Sequence, residues 1–442
     1  MHTPSRILLT VSVFLSLFIS AQSYGAGFAI IEHSVKGLGN AFAGGSASAE
    51  DATTIYFNPA GMSRLQGKQL IVGTHIIMPS ANFKDQGSVD VTTAPLTGGD
   101  GGDGGVTAVV PNLYWTFPIN EKMRFGLGIN APFGLSTEYD SNWQGRYHAI
   151  DSLVETVNIN PSLSFKLNDK ASIGFGINVQ YMSVELSNAI DLGLITSGGG
   201  GVPQAEDAIG EVDGASWALG FNVGFLYQFS EKTRFGVAYR SKIEHTLDGG
   251  DAKFYGVNPT GSGKLAFLQS SNTFVNTGVE ADITLPESLS LSIFRQMNPK
   301  WAIMGDITWT RWSRFKELVI EYDVGAQGNT VTPENWDDSL RISFGANYKL
   351  NDKWLLRFGA ALDETPIPSA ADRTPRVPGN DRKWLTFGAS YKGPGKVSFD
   401  MGFAHLFVSD TKINNTTSLG HTLTGKYSAD VNILSFQANW DY

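Results

Sequence analysis

From about residue 68 to the last residue, side-chain character along the chain alternates with a period of two. Leu434, Phe436, Ala438, Trp440 and Tyr442 interleave with Ser435, Gln437, Asn439 and Asp441. Trp217, Leu219, Phe221, Val223, Phe225, Tyr227 and Phe229 interleave with Ser216, Ala218, Gly220, Asn222, Gly224, Leu226 and Gln228. Ile173, Phe175, Ile177, Val179 and Tyr181 do the same with Ser172, Gly174, Gly176, Asn178 and Gln180. Successive side chains of a strand point to opposite faces, so each set belongs to one face of a sheet. Soluble sandwiches alternate too, with a polar face turned to water. Here that face is largely Gly, Ser, Asn and Gln rather than Lys, Glu and Thr. It suits a crowded lumen, and the apolar face suits lipid.

Short turns punctuate the pattern at Asn120-Glu121-Lys122, Asn168-Asp169-Lys170, Ser230-Glu231-Lys232, Asn298-Pro299-Lys300, Asn351-Asp352-Lys353 and Gly393-Pro394-Gly395. Each carries tight-hairpin chemistry. Longer polar stretches lie near 84–105, 135–152, 187–214, 248–276, 324–338, 364–381 and 410–424. Six short turns and seven long loops join 14 strands. An even count, with short connections on one side and long ones on the other, predicts an all-β, 14-stranded antiparallel transmembrane barrel.

The amino terminus agrees with an exported barrel. Arg6, the apolar stretch Ile7 to Ala21 and the small residues Ser23 and Gly25 predict a signal peptide over 1–25, cleaved before Ala26. The alternative is a single anchor helix, for which the apolar stretch is short. Charged residues are only 17% of the chain against roughly 25% in soluble domains, which fits a surface largely in lipid. A net charge of −9 without a dense Lys/Arg cluster excludes nucleic acid as a natural partner. No cysteine is present, so thiol and disulfide chemistry are excluded. The histidines show no metal spacing, and Gly37-Leu38-Gly39 lacks the strand–turn–helix of a dinucleotide site, so no cofactor is implied. Gly98 to Gly105, with Asp100 and Asp103, supplies too few ligands for calcium and is expected to be a flexible surface loop. No hydrolase motif is present, and an enzyme is not expected.

Residues 26–66 do not alternate. They are rich in Gly and Ala, yet hold Phe28, Ile30, Ile31, Leu38, Phe42, Ile55, Tyr56, Phe57 and Met62. Apolar points in a segment that cannot be a strand predict a compact piece, and the lumen of the barrel, over 67–442, is its natural place.

The segment Ala49 to Met62, with Asn58-Pro59-Ala60 after the acidic pair Glu50-Asp51, closely resembles the hatch of the FadL family of outer-membrane transporters for long-chain fatty acids and aromatic hydrocarbons. Phe133 to Tyr139, Trp143 to Tyr147, Leu285-Pro286-Glu287, Trp309 to Ser313, Asp363 to Pro368 and Asp381 to Leu385 also look like family segments, in order, from Ala26 to the carboxyl terminus. The resemblance implies a Gram-negative outer-membrane location amid lipid and lipopolysaccharide, and a monomeric barrel plugged by a hatch. It implies passive uptake of fatty acids or hydrocarbons, with release through the wall. Ala26, Gly27 and Phe28 would lie at the ligand pocket, with Phe133 and Trp312 as aromatic lining. Asn58, Pro59 and Ala60 would belong to the moving part of the hatch. The family's third strand is distorted, and here that strand contains Pro132 and Gly134, which weaken a ladder. Pro132 either breaks the wall or simply ends the strand at the outer rim.

In the best-known fatty acid transporter of the family two basic residues hold the carboxylate. The matching positions here fall on Val319 and close to Asn188, neither of them basic. Arg146, Arg240, Arg314 and Lys316 are the candidate substitutes; otherwise the ligand is neutral. By strand parity Arg234, Arg240, Arg341 and Arg357 face the lumen, either paired with acids such as Glu280 and Asp282 or as ligand anchors. The remaining alternatives are a general porin, which needs no 40-residue plug, and an adhesin-like barrel.

Overall fold

The structure, a computed structural model, describes residues 27–196 and 202–442. The expected signal peptide and Ala26 lie outside the described residues. In chain order the strand segments are β1 (Gln69–Asp85), β2 (Ala108–Pro118), β3 (Met123–Asn130), β4 (Gly134–Glu138), β5 (Asp151–Lys166), β6 (Ala171–Asp191), β7 (Asp207–Ser230), β8 (Thr233–Arg240), β9 (Ile243–Gly256) and β10 (Thr277–Leu285). They continue as β11 (Ser288–Gln296), β12 (Trp301–Thr310), β13 (Glu317–Tyr322), β14 (Thr330–Pro333), β15 (Ser339–Lys349), β16 (Trp354–Asp363), β17 (Arg382–Lys392), β18 (Val397–Val408), β19 (Thr411–Thr416) and β20 (Thr422–Asp441).

These segments make a closed antiparallel barrel of 14 staves. Closure is between the first and last, with Gln69 opposite Asp441 and Asp85 opposite Gly425. Closure removes the free edge that lipid cannot solvate. Six staves consist of two segments each: β3 with β4, β8 with β9, β10 with β11, β12 with β13, β14 with β15 and β18 with β19.

Asn120, Asn168, Asn298 and Asn351 each accept, on the side-chain oxygen, the backbone N–H groups two and three residues on, at 2.8–3.0 Å. The side chain thereby stands in for a backbone turn and keeps these connections short. Near them an aromatic girdle faces outward, with Trp301 on Tyr348 (4.7 Å), Trp354 on Tyr391 (4.8 Å) and Trp115 on Phe117 (4.8 Å). At the other end, the stretches 187–214 and 248–276 are less loop than expected. The β6–β7 hairpin stays paired to Asp191 opposite Asp207, β9 runs to Gly256, and the helix Pro259–Ser270 follows. The Gly98–Gly105 segment is tied down rather than loose: Asp103 accepts from Ser80 and from the Ala81 N–H, both at 2.7 Å.

Inside the barrel lie the short helices Val35–Gly39, Gly45–Ser48 and Thr54–Phe57 and the 3-10 turn Pro59–Arg64. The inward Gly residues of the wall make room for them. A Cβ at Gly224 would meet Asn58 Oδ1 at 1.9 Å, one at Gly236 would meet the Ser46 carbonyl at 1.8 Å, and one at Gly359 would meet the Asn40 backbone at 2.2 Å. Asn58 fastens this plug at three points. Its Oδ1 accepts from Ala60 N–H (3.0 Å), and its Nδ2 donates to the carbonyls of Ser46 (2.6 Å) and Phe225 (3.0 Å). Pro59 and Ala60 are buried beside it.

The four lumen arginines clamp the plug. Arg234 donates to Ala47 O (3.0 Å) and Ser48 O (2.6 Å), Arg240 to Tyr56 O (3.0 Å), and Arg341 to Ala41 O (2.8 Å). Arg357 pairs with Glu50 at 2.7 Å. On the plug side their partners are carbonyls and Glu50, not Glu280 and Asp282, which lie exposed on β10.

Candidate functional site

The site is built around a break in the third stave. β3 covers only Leu113–Pro118 of β2, so the Ala108–Asn112 end of β2 has no strand partner on that side. Pro132 does not end the stave: β4 resumes at Gly134 and pairs with β5, with Gly134 opposite Glu155. Between them the chain turns inward. Its backbone groups are satisfied there: Pro132 O accepts from Ile30 N–H at 2.9 Å, and Gly134 N–H donates to Phe28 O at 3.0 Å. Phe133 N–H donates to Thr156 Oγ1 at 3.0 Å, and the same hydroxyl donates to Phe133 O at 2.6 Å. The amino-terminal residues thus act as a short inner strand, which is how a broken ladder survives where lipid offers no hydrogen bonds.

That inner strand delivers Phe28 into an aromatic cage. Its ring lies 6.0 Å from Phe133, 4.9 Å from Trp312, 5.9 Å from Phe315 and 5.8 Å from Trp336. The angles are edge-to-face or tilted, which suits ring quadrupoles. Gly27 fits between the indoles, since a Cβ there would meet Trp336 at 2.3 Å and Trp312 at 3.1 Å. Trp336 sits in the non-periodic stretch before β15, which gave no sequence signal. Its Nε1 donates to Glu334 at 2.9 Å, and burial pushes the Glu334 carboxyl up to about 8.

The cage caps a cavity of about 610 Å³, within the usual range of ligand pockets. The cavity runs along the wall from Phe28, Phe133 and Trp312 to Arg341 and Trp384 at the level of the plug. It also reaches Val109, Ile129 and Val157 beside the break. Those three side chains belong to the outer surface, and Val109 is 65% exposed. The cavity therefore opens both inward and sideways.

Of the sequence-derived candidates, Gly27, Phe28, Pro132, Phe133, Gly134, Arg240 and Trp312 line this cavity, as does Pro59. The other basic candidates are placed elsewhere. Arg146 is paired with Asp207 at 2.8 Å and donates to Thr97 O at 2.7 Å, fastening loops together. Arg314 forms a fork on Glu287, with Nη2 to Oε1 at 2.7 Å. Lys316 donates to Trp336 O at 2.9 Å. Arg240 is in the lining, but its donors go to Asn178 Oδ1 (2.6 Å) and Tyr56 O.

Known proteins share the fold. The sequence model of the outer membrane protein transport protein family (OMPP1/FadL/TodX) matches residues 16–442. A long-chain fatty acid transport protein of Escherichia coli is 30% identical over 440 residues, covering 93% of each chain. A 47 kDa outer membrane protein of Pasteurella multocida is 30% identical over 447 residues, covering 98% of each. The crystal structure of a Pseudomonas aeruginosa FadL homologue superimposes with a TM-score of 0.88 at 27% identity, covering 94% of this chain and 99% of that one. The toluene transporter TodX of Pseudomonas putida shares the fold, with a TM-score of 0.68 at 16% identity over 94% of this chain and all of the other (100%). The chain belongs to the OMPP1/FadL/TodX family of outer-membrane transport proteins.

Proposed function

We propose that the protein is a passive channel for hydrophobic compounds, long-chain fatty acids or aromatic hydrocarbons, and that ligand leaves it sideways through the break in the third stave. The observation that carries this reading is the cavity that joins Phe28, Phe133 and Trp312 of the cage to the lipid-facing Val109 and Val157. In this reading 1–25 is removed on export, 26–66 is the hatch and 67–442 the barrel, working as a monomer amid outer-membrane lipid and lipopolysaccharide. Gly27, Phe28, Phe133 and Trp312 are the ligand-contacting side of the inner strand and wall.

The energetics favour a dry exit. Burying a methylene is worth ~0.8 kcal/mol, so driving about a dozen of them into water below the hatch would cost on the order of 10 kcal/mol. A sideways step into the bilayer avoids this. A general porin needs an aqueous lumen, and here the plug and its arginine clamps occupy it.

The test is to narrow the side opening with Val109→Trp and Val157→Trp. Uptake of a labelled long-chain fatty acid by cells is expected to fall, while its binding to purified protein persists. Undiminished uptake would point to another exit.

A further inference from the structure

Arg341 on β15 is 7% exposed and lines the deep end of the cavity. One of its donors, Nη2, goes to Ala41 O. Its guanidinium lies 5.0 Å from the Trp384 ring and 5.8 Å from the Phe42 ring. Nε and Nη1 are buried and have no hydrogen-bond partner. A buried N–H of a charged group without an acceptor is costly, and a native protein that keeps one commonly uses it.

The nearby acids are engaged elsewhere. Asp306 accepts the hydroxyls of Ser290 (2.7 Å), Thr308 (2.7 Å) and Ser292. Asp363 takes Trp384 Nε1 at 3.3 Å and lies 3.5 Å from Arg382 Nε. Glu32 accepts its neighbour's N–H at 2.9 Å, and burial pushes its carboxyl up, towards the neutral form. Arg240 and Arg382, the other cations in the lining, already have their partners.

The geometry points to Arg341 as a buried anchor for an anionic head group, so that a long-chain carboxylate lies with its head against the hatch and its tail in the aromatic cage. This rests on the channel reading above and deepens it by favouring a carboxylate over a neutral hydrocarbon. The span fits an extended chain. Arg341 is opposite Thr308, and Trp312 lies four residues further along the same stave, about 13 Å away at strand rise. The lining between is Thr308, Thr310 and Ser339, whose small side chains leave the path open. Departure is then tail first, through the side opening.

The first experiment compares a long-chain fatty acid with the alcohol of equal length, binding to purified full-length protein at pH 8. Wild type is expected to prefer the acid by about tenfold or more, the worth of a charged hydrogen-bonded contact. Arg341→Met is expected to lose that preference and to keep its affinity for the alcohol. Equal binding of acid and alcohol by wild type, or a preference that survives in Arg341→Met, overturns the proposal. Binding of neither overturns the channel reading itself.

The second experiment needs no variant. Fatty acids carrying a photoreactive diazirine at the tail end or beside the carboxyl are cross-linked to wild type. The tail probe is expected to label peptides holding Phe28, Trp312 and Trp336, and the head probe those holding Arg341 and Trp384. The reverse pattern would place the head at Trp312, whose Nε1 is also buried without a partner, and would overturn the assignment.

Discussion

Arg357 of the wall and Glu50 of the hatch meet at 2.7 Å, and the arginine side chain is 4% exposed. The pair joins β16 to the turn between two hatch helices. Lys36 of the hatch adds a second such contact, 3.9 Å from Asp400 of β18, and is also paired within the hatch with Asp51 at 3.0 Å. Removing one partner of a buried pair leaves the other charge unmet, a loss of about 3 kcal/mol or more. Arg357→Met is therefore expected to loosen the hatch and leave the barrel closed. Protease cleavage near Gly44–Gly45, absent in wild type, would read this; a resistant variant would mean the hatch is held elsewhere.

Phe28 is the hub of the cage. Phe28→Ser removes a ring that contacts four other aromatics. Uptake of hydrophobic substrate should fall about tenfold, equal to ~1.4 kcal/mol of ligand binding. Heat-modifiable gel mobility should stay that of a folded barrel. Unchanged uptake would remove Phe28 from the site.

A locked hatch should still transport. Ser46 and Ser292 have their hydroxyl oxygens 2.7 Å apart, one on the hatch and one on β11. The chain has no cysteine of its own, so a Ser46→Cys, Ser292→Cys pair gives a single defined cross-link. Uptake by the oxidised protein is expected to match that of the reduced one. A loss reversed by reductant would favour a path through the plug.

Glu334 should give the cage a pH dependence. Its carboxyl is pushed up to about 8 by burial beneath Trp336. The folded loop binds this proton more tightly than the unfolded chain does. The stabilisation is complete below about 4.5, the ordinary carboxyl value, and is lost as pH rises through about 8. Ligand affinity and the Trp fluorescence of the cage are expected to decline between pH 6 and 9. Glu334→Gln should flatten that profile, and a slope that persists in it would assign the effect to another group.

The barrel was legible because lipid imposes its alternation on every stave, and Asn-led turns mark the short side. Phe28, Phe133 and Trp312 were legible through the resemblance; proline's missing donor marked Pro132 as either a break in the wall or the end of the strand, and the inward turn itself was not legible. Trp336 was not, since it stands in a stretch with no period. The upper β6–β7 hairpin was read as loop because above the membrane neither of its faces meets lipid, so Asp207 to Gly214 lose the apolar row. The basic residues misled for a different reason. A sequence gives the type of Arg146 and Arg314 but not the acid, Asp207 or Glu287, that claims each one.

The inner strand has a practical corollary for anyone who labels or displays this protein. Phe28 to Ile30 complete the wall from within, and Gly27 is wedged between two indoles. At the far end Tyr442 exchanges both backbone hydrogen bonds with Lys68, at 2.9 and 3.0 Å. Neither Gly27 nor Tyr442 is a free handle: the first is packed into the cage, and the second lies on the seam of the barrel. Tags belong instead in the outer loop at Gly328, which has nothing within 4 Å of where a side chain would start.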